Sequence, residues 1–490
     1  MPFTEPVATA VLLVVFGLLL GICVVLGRWF ERLGVPIALL SLVLGMLAGS
    51  EGIGGVAFAD YGLAYRLGTA ALVLILFDGG LNTPLVAWRK AIAPASILAT
   101  VGVALTAGLC ALGARLLGLP WPVALLVGAV VSSTDAAAVF SILRGGGIRL
   151  RERLGLTLEL ESGGNDPMAV ILTAAVTASL LGEGPTGWQL AWSVPLQLVI
   201  GLLVGLATGT LARAIVSRVR LTTAGLFPAF TVGLAFFAYG GATVVQGSGF
   251  LAVYVAALVF GNGPLPYHQG LRRIHDALAW LSQVSMFMML GLLVFPYDLV
   301  PKIGIGLGLA AFLTVVARPV AVFLCVLPFR FPRRELVYMS WVGLRGSVPI
   351  ILATYPVLRG APYAMDAFNV VFFIVVINAL VPGATVRWLA RKLGLERVEP
   401  PAPPAALEIH SMGRLEGEVL WFYIDPAVAV CDVPLSEIYF PDGAAAILVV
   451  RGDSLVAPRG STTLAAGDHV YVCCRAEHRA EIELLFGRAQ

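Results

Sequence analysis

Apolar runs of spanning length alternate with short polar joints as far as about residue 393, and then the pattern changes. A hydrocarbon core about 30 Å thick takes roughly 20 residues of helix to cross. Windows of that kind fall near 8–27, 35–50, 63–84, 91–117, 121–143, 154–182, 187–216, 224–245, 248–263, 276–295, 301–327, 335–357 and 366–390. The pattern therefore predicts an all-α polytopic membrane protein with thirteen transmembrane helices over residues 1–395. Residues 396–407, with Glu399-Pro400-Pro401-Ala402-Pro403-Pro404-Ala405 at their centre, read as a semi-rigid Pro-rich linker. Residues 408–490 carry soluble-type patterning. Val419–Ile424, Ala445–Arg451, Ser454–Ala457 and His469–Cys474 predict strands with turns at Gly452-Asp453 and Gly467-Asp468, while Pro434–Ile438 and Glu477–Phe486 predict helices. A small cytoplasmic α+β domain is expected there.

Composition agrees with the membrane reading: 59% of the 490 residues are hydrophobic and 12% charged, about half the charged fraction of a soluble protein. A net charge of +3 is too small to imply nucleic acid. Its placement is more informative. Arg28/Arg32, Arg89/Lys90, Arg144/Arg149/Arg151/Arg153, Arg213/Arg218/Arg220, Arg272/Arg273, Arg330/Arg333/Arg334 and Arg387/Arg391/Lys392 fall in alternate joints, and the other joints hold only Arg66, Arg115, Lys302 and Arg359. That asymmetry predicts a plasma or inner membrane protein with its N-terminus outside and its C-terminal domain in the cytoplasm. No Lys or Arg precedes the first apolar run, so a retained first helix is expected and not a cleaved signal. The six cysteines are scattered, without zinc spacing or a disulfide framework. His268 and His275, close to a joint, read as solvated loop residues.

The sixth window holds Glu159-Leu160-Glu161-Ser162-Gly163-Gly164-Asn165-Asp166-Pro167-Met168 near mid-depth. A carboxylate there costs roughly 2.5–3.5 kcal/mol on insertion scales, so Asp166 is a candidate substrate or proton site. On a helix Ser162 and Asp166 share one face, and Glu161 and Asn165 the neighbouring one. Pro167 cannot donate to the carbonyl of Gly163, so the helix is expected to loosen beside the acid. Asp78, Asp135, Glu161, Asp166, Arg318 and Arg345 are six intramembrane charges at similar depth, which argues for one polar centre.

Two windows look broken halfway along, at Ser132-Ser133-Thr134-Asp135 and at Gly343-Leu344-Arg345-Gly346-Ser347-Val348-Pro349. They stand seven windows apart. An odd offset reverses direction, so the two halves read as inverted repeats, an arrangement that points to a secondary-transporter site. Asp135 and Arg345 would compensate the partial charges of the facing half-helix ends.

These motifs, in this order and spacing over about residues 8–392, resemble the cation:proton antiporter-1 family, the NhaP-type exchangers. The resemblance implies a dimerisation half and a mobile core working by elevator-like alternating access, in a homodimer that exchanges K+ or Na+ for H+. It implies that Asp166 alternately binds cation and proton, that Ser162 and the main-chain carbonyl of Thr134 help coordinate the cation with Asp135 nearby, and that Asn165 steadies the broken helices. It further implies a structural Glu161–Arg318 salt bridge, and a place near the ion for Asp78. An oxygen-lined site with one titratable carboxylate binds a hard cation when ionised and loses both charge and ligand when protonated, so competition alone gives exchange. Asparagine at 165 leaves one proton carrier in that pair, which suits an electroneutral exchanger.

Val433–Ile438, Ala446–Arg451 and Ala466-Gly467-Asp468 resemble the C-terminal half of regulator-of-K+-conductance modules. This implies a regulatory domain that binds a small cytoplasmic ligand, often a nucleotide, and moves the expected cation towards K+. A Na+/H+ antiporter is the alternative. A tail-gated channel lacks any carbonyl-filter motif, and four acids against two bases disfavour an anion carrier. No metal spacing, nucleophile elbow or nucleotide-binding glycine fingerprint supports an enzyme, and no resident cofactor is expected.

Overall fold

A computed structural model describes residues 6–32, 36–56, 58–85, 91–135, 139, 143, 148–184, 188–219, 225–263, 268–346, 348–397 and 417–487. The chain divides into two compact units, Met1–Arg397 and Val398–Gln490. In the first the helices are α1 (Val7–Arg32), α2 (Ile37–Ala48), α3 (Tyr61–Asn82), α4 (Ile92–Leu116), α5 (Trp121–Val130), α6 (Glu152–Leu180), α7 (Trp188–Arg218), α8 (Leu226–Val244), α9 (Gly249–Gly261), α10 (His268–Leu292), α11 (Pro296–Phe329), α12 (Arg333–Trp341), α13 (Val348–Leu358) and α14 (Ala364–Leu393). Among the described residues seven helices are long and apolar enough to cross a membrane, and α2, α5, α9 and α13 are shorter apolar helices. This is a helical membrane protein. Polar residues, such as Asn165 and Asp166 in α6 and His275, Asp276 and Gln283 in α10, make these two less apolar than the seven.

Packing sorts the helices into two interleaved groups. α2, α3 and α7 to α10 pack mainly on one another, as do α4, α5, α6 and α11 to α14; α3 and α9 touch α6 and α13 across the boundary. Small residues allow the closest approaches. Gly201, Gly205 and Gly209, every fourth residue of α7, lie against Ser248, Ala252 and Ala256, and a Cβ on Gly205 would sit 2.7 Å from the carbonyl oxygen of Ala252. Local signals fix the helix ends: Asp60 Oδ1 accepts from the N–H of Leu63 at 2.8 Å to cap α3, and Gly394, at φ +65°, closes α14.

Several expectations need correction. α6 runs unbroken through Pro167, the lost hydrogen bond being tolerated within a packed helix. α10 begins by His268, two turns before the apolar window, because Leu271 and His275 turn inwards while Arg272, Arg273 and Asp276 stay exposed. Glu396 and Arg397 are no linker: they form β2, antiparallel to β1 (Arg149–Leu150). The remaining linker residues, 398–407, lie outside the described set.

Two π turns, Leu98–Gly102 in α4 and Leu313–Ala317 in α11, have no counterpart in the apolar pattern. The first lies against α6, with Ala99 close to Gly164, and the second ends at Arg318.

The second unit is a four-stranded antiparallel sheet in the order β3 (Glu418–Tyr423), β6 (His469–Cys474), β4 (Ala445–Arg451), β5 (Ser454–Val456), with a register shift between Ala446 and Leu448. α15 (Arg479–Phe486) places Ile482 and Phe486 in its core. The expected helix at Pro434–Ile438 is a single tight turn, Leu435–Glu437.

Candidate functional site

α6 presents its polar residues to two different surroundings. On one side Arg318 donates to Glu161 through both arms, Nη1 to Oε1 at 2.6 Å and Nη2 to Oε2 at 2.9 Å, and the side chains are 4% and 1% exposed. The π turn of α11 ends immediately before Arg318. Gly343 leaves room for this side chain, since a Cβ there would lie 2.7 Å from its Nε.

On the other side the chain is open. α5 stops at Val130 and α12 at Trp341; Val131–Asp135 and Val342–Gly346 are not helical, and they meet where the N–H of Asp135 donates to the carbonyl of Leu344 at 2.8 Å. Each break carries a charge that suits its helix ends. The buried Arg345 donates through Nη1 to the carbonyls of Ser132 (3.3 Å) and Ser133, at the C-terminal end of α5. The Asp135 carboxylate lies against Gly346, two residues before α13, where any Cβ would displace it. Cation at a C-terminus and anion at an N-terminus is the favourable arrangement.

Thr134 ties the first break to α6. Its carbonyl accepts from Ser162 Oγ at 2.8 Å and its hydroxyl from Asn165 Nδ2 at 2.5 Å. Asp166 stands beside them, 5% exposed, and its Oδ1 has no hydrogen-bond partner among the described residues. Ser133, Asp135 and Arg345 are the polar and charged groups acting on it. A cavity of about 710 Å³ reaches this carboxylate, lined also by Asp135, Ser162, Asp78, Tyr254 and Arg272. Asp78 is held from below by Asn82, whose Nδ2 donates to its carboxylate at 2.9 Å.

The structure thus gathers Thr134, Asp135, Ser162, Asn165 and Asp166 at one place and puts Asp78 on the same cavity. It does not form the single centre expected of all six charges. Glu161 and Arg318 lie on another face of α6, and Arg345 stands between the two groups, within reach of the charges of Arg318, Glu161 and Asp166.

Some lining residues carried no sequence signal. Tyr254 of α9 lays its ring on Gly163, where a Cβ would come within 2.5 Å, and its hydroxyl is 3.3 Å from Thr83 Oγ1. Asn262, just beyond α9, donates to the carbonyl of Thr83 and accepts from the N–H of Leu85, closing the end of α3. Arg272, Arg273, Asp276 and Glu159 also line the cavity. His275 is no loop residue: it is buried, with Nε2 2.7 Å from Thr231 Oγ1 and its ring packed at a tilt against that of Phe77. An i, i+4 pairing with Leu271 was the only hint. The side chain of His268 lies outside the described residues.

Such an arrangement can hold one small hard cation among a carboxylate, hydroxyls and a main-chain carbonyl, and can protonate the same carboxylate.

Comparison with known proteins gives a consistent answer. A model of the sodium/hydrogen exchanger transmembrane region matches residues 15–392, and a model of the TrkA-C domain matches 419–487. The chain is 39% identical over 479 residues to the K(+)/H(+) antiporter NhaP of Alkalimonas amylolytica, covering 97% of this chain and 83% of that one. To the K(+)/H(+) antiporter NhaP2 of Shewanella oneidensis it is 40% identical over 480 residues, covering 96% and 83%. The fold is similar to that of the sodium proton antiporter MjNhaP1 from Methanocaldococcus jannaschii, with a TM-score of 0.66 and 22% identity over 78% of this chain and 99% of that one.

Proposed function

The chain belongs to the sodium/hydrogen exchanger family and carries a TrkA-C domain, and on that premise we propose that it is an electroneutral K+/H+ antiporter in which cation and proton compete for Asp166. The observation that carries the reading is the buried Asp166 carboxylate on the wall of a cavity, with Oδ1 unpartnered among the described residues, beside two broken helices whose end charges are separately compensated. Ser162 and the Thr134 carbonyl supply further oxygens, Asp135 sits close by, and Asn165 anchors the break to α6. In this reading the Glu161–Arg318 pair is structural.

K+ is favoured over Na+ by relatives named K(+)/H(+) antiporters that match nearly the whole chain. Na+ is the second reading, favoured by the fold similarity to a sodium proton antiporter. Thirteen crossings follow from the apolar windows, two inverted halves from the odd offset between the broken windows, and an N-terminus outside with a cytoplasmic tail from the alternation of basic joints. With that orientation the ends of α3, α6 and α10 that line the cavity face the cytoplasm, so the cavity is the cytoplasmic access path. A homodimer of plasma or inner membrane location, and a tail that answers to a small ligand of nucleotide type, complete the proposal.

The test is proton flux in proteoliposomes, read by an internal pH dye, with K+, Na+ or choline outside and the membrane potential clamped or free. Flux driven by K+ and not by choline, unchanged by the clamp, is the expected result. Flux with Na+ alone moves the assignment to Na+/H+ exchange. Flux that needs charge compensation removes electroneutrality.

A further inference from the structure

The mouth of the cavity holds charges that binding at Asp166 does not use. Five carboxylates line the cavity, Asp78, Asp135, Glu159, Asp166 and Asp276, against two guanidiniums, Arg272 and Arg273. A cleft whose lining carries an excess of one sign of charge concentrates counter-ions. Concentration at the mouth helps capture, but a carboxylate there that held a cation tightly would compete with delivery to Asp166. Asp78 is the carboxylate placed to do so: it lies on the wall of the same cavity and is oriented by Asn82 at 2.9 Å.

Arg272 faces it. α3 and α10 pack together, both residues line the cavity, and Asp78 is the carboxylate whose charge acts on the Arg272 guanidinium. The Arg272 side chain is exposed and on a long stem, so it can lean onto Asp78 or swing away. Its charge does not depend on pH in the working range.

We propose that Arg272 is a tethered competitor of the transported cation at Asp78, and that it sets the cation concentration at which the cytoplasmic side of the carrier loads. Arg272 occupies the mouth carboxylate while the cavity is unloaded, and an arriving cation displaces it before passing to the carboxylate beyond. In this role Arg272 sets the loading affinity and takes no part in binding at Asp166. The inference rests on the antiport reading above.

The test uses the full chain in everted membrane vesicles, which expose the cytoplasmic face, with K+-driven proton flux measured over a range of K+. Arg272→Gln should lower the half-saturating K+ by roughly three- to tenfold, the range expected for losing one screened unit charge a few ångströms from the site, with the maximal rate little changed. Arg272→Lys, which keeps the charge, should stay near wild type. In an Asp78→Asn background Arg272→Gln should shift nothing further. A fall in maximal rate without a shift in half-saturation, or a shift that persists when Asp78 is Asn, overturns the role given to Arg272. If the Gln variant does not accumulate, an unshifted Arg272→Met overturns it equally. Failure of the wild type to exchange any cation for protons would instead overturn the antiport reading itself.

Discussion

Glu161 and Asp166 stand five residues apart on one unbroken helix and both are buried, yet their surroundings differ in kind. Glu161 has a guanidinium on both oxygens. Asp166 has one oxygen without a partner among the described residues and a cavity in front of it. A carboxylate already satisfied by a fixed cation has nothing to offer a mobile one; an unsatisfied carboxylate is costly to bury and gains from either a proton or a metal ion. Burial alone therefore does not mark a transport site. What marks it is a missing partner together with a path.

The largest effect that sharpens this contrast is expected at Asp166. Asp166→Asn should reduce K+-driven proton flux to background, while the protein accumulates and melts at least as well as wild type, because a neutral amide replaces an unsatisfied acid. Flux assays and detergent melting curves on one preparation check both halves. A folded Asn variant that still exchanges would break the contrast outright.

Glu161→Gln should do the opposite, lowering stability by about 3–5 kcal/mol because Arg318 is stranded inside the protein. Replacing both residues by leucine should recover much of that loss, and detergent melting again gives the readout. If the double replacement melts no higher than Glu161→Gln, the pair is more than a mutually satisfied structural bridge.

A smaller version of the contrast recurs in the tail. Asp468 is buried and held by Arg451 through two hydrogen bonds, at 2.8 and 2.7 Å, and by the N–H of Ala465. The next residue, His469, is buried between Trp421 and Tyr423 with no partner on Nδ1 among the described residues. Burial lowers its pKa from 6.5, only partly opposed by Asp468. The unfolded tail therefore takes up a proton more readily than the folded one. Stability should be fully present above about pH 6.5 and fall as pH drops below it, an effect of order 1 kcal/mol per unit at most. Thermal melting of the tail across that range, with His469→Gln flattening the dependence, checks it.

Much of this was legible in the sequence because its signals are local. Apolar windows find helices, and Ser132-Ser133-Thr134-Asp135 and Gly343-Leu344-Arg345-Gly346 point to breaks, since each sets a charge among small polar residues or glycines halfway along an apolar run. The stretch around Asp166 declared itself by cost. Less legible were features that depend on a neighbour. Tyr254 reads as one more apolar position until Gly163 is seen beneath its ring. Arg272 looked like a joint residue because an apolar window ends where charges begin, although α10 continues two turns further. Pro167 suggested a loosened helix that packing holds straight. No residue pattern announced the π turn before Arg318.

The most direct test of the central claim is the half-saturating K+ of the wild-type exchanger in proteoliposomes, measured across about two pH units around neutrality. Competition of one cation and one proton for Asp166 predicts that half-saturation rises by up to about tenfold for each unit of acidification while the maximal rate at saturating K+ holds steady. A half-saturation that stays constant while the maximal rate falls with acid would contradict it, and would place the proton on some other group.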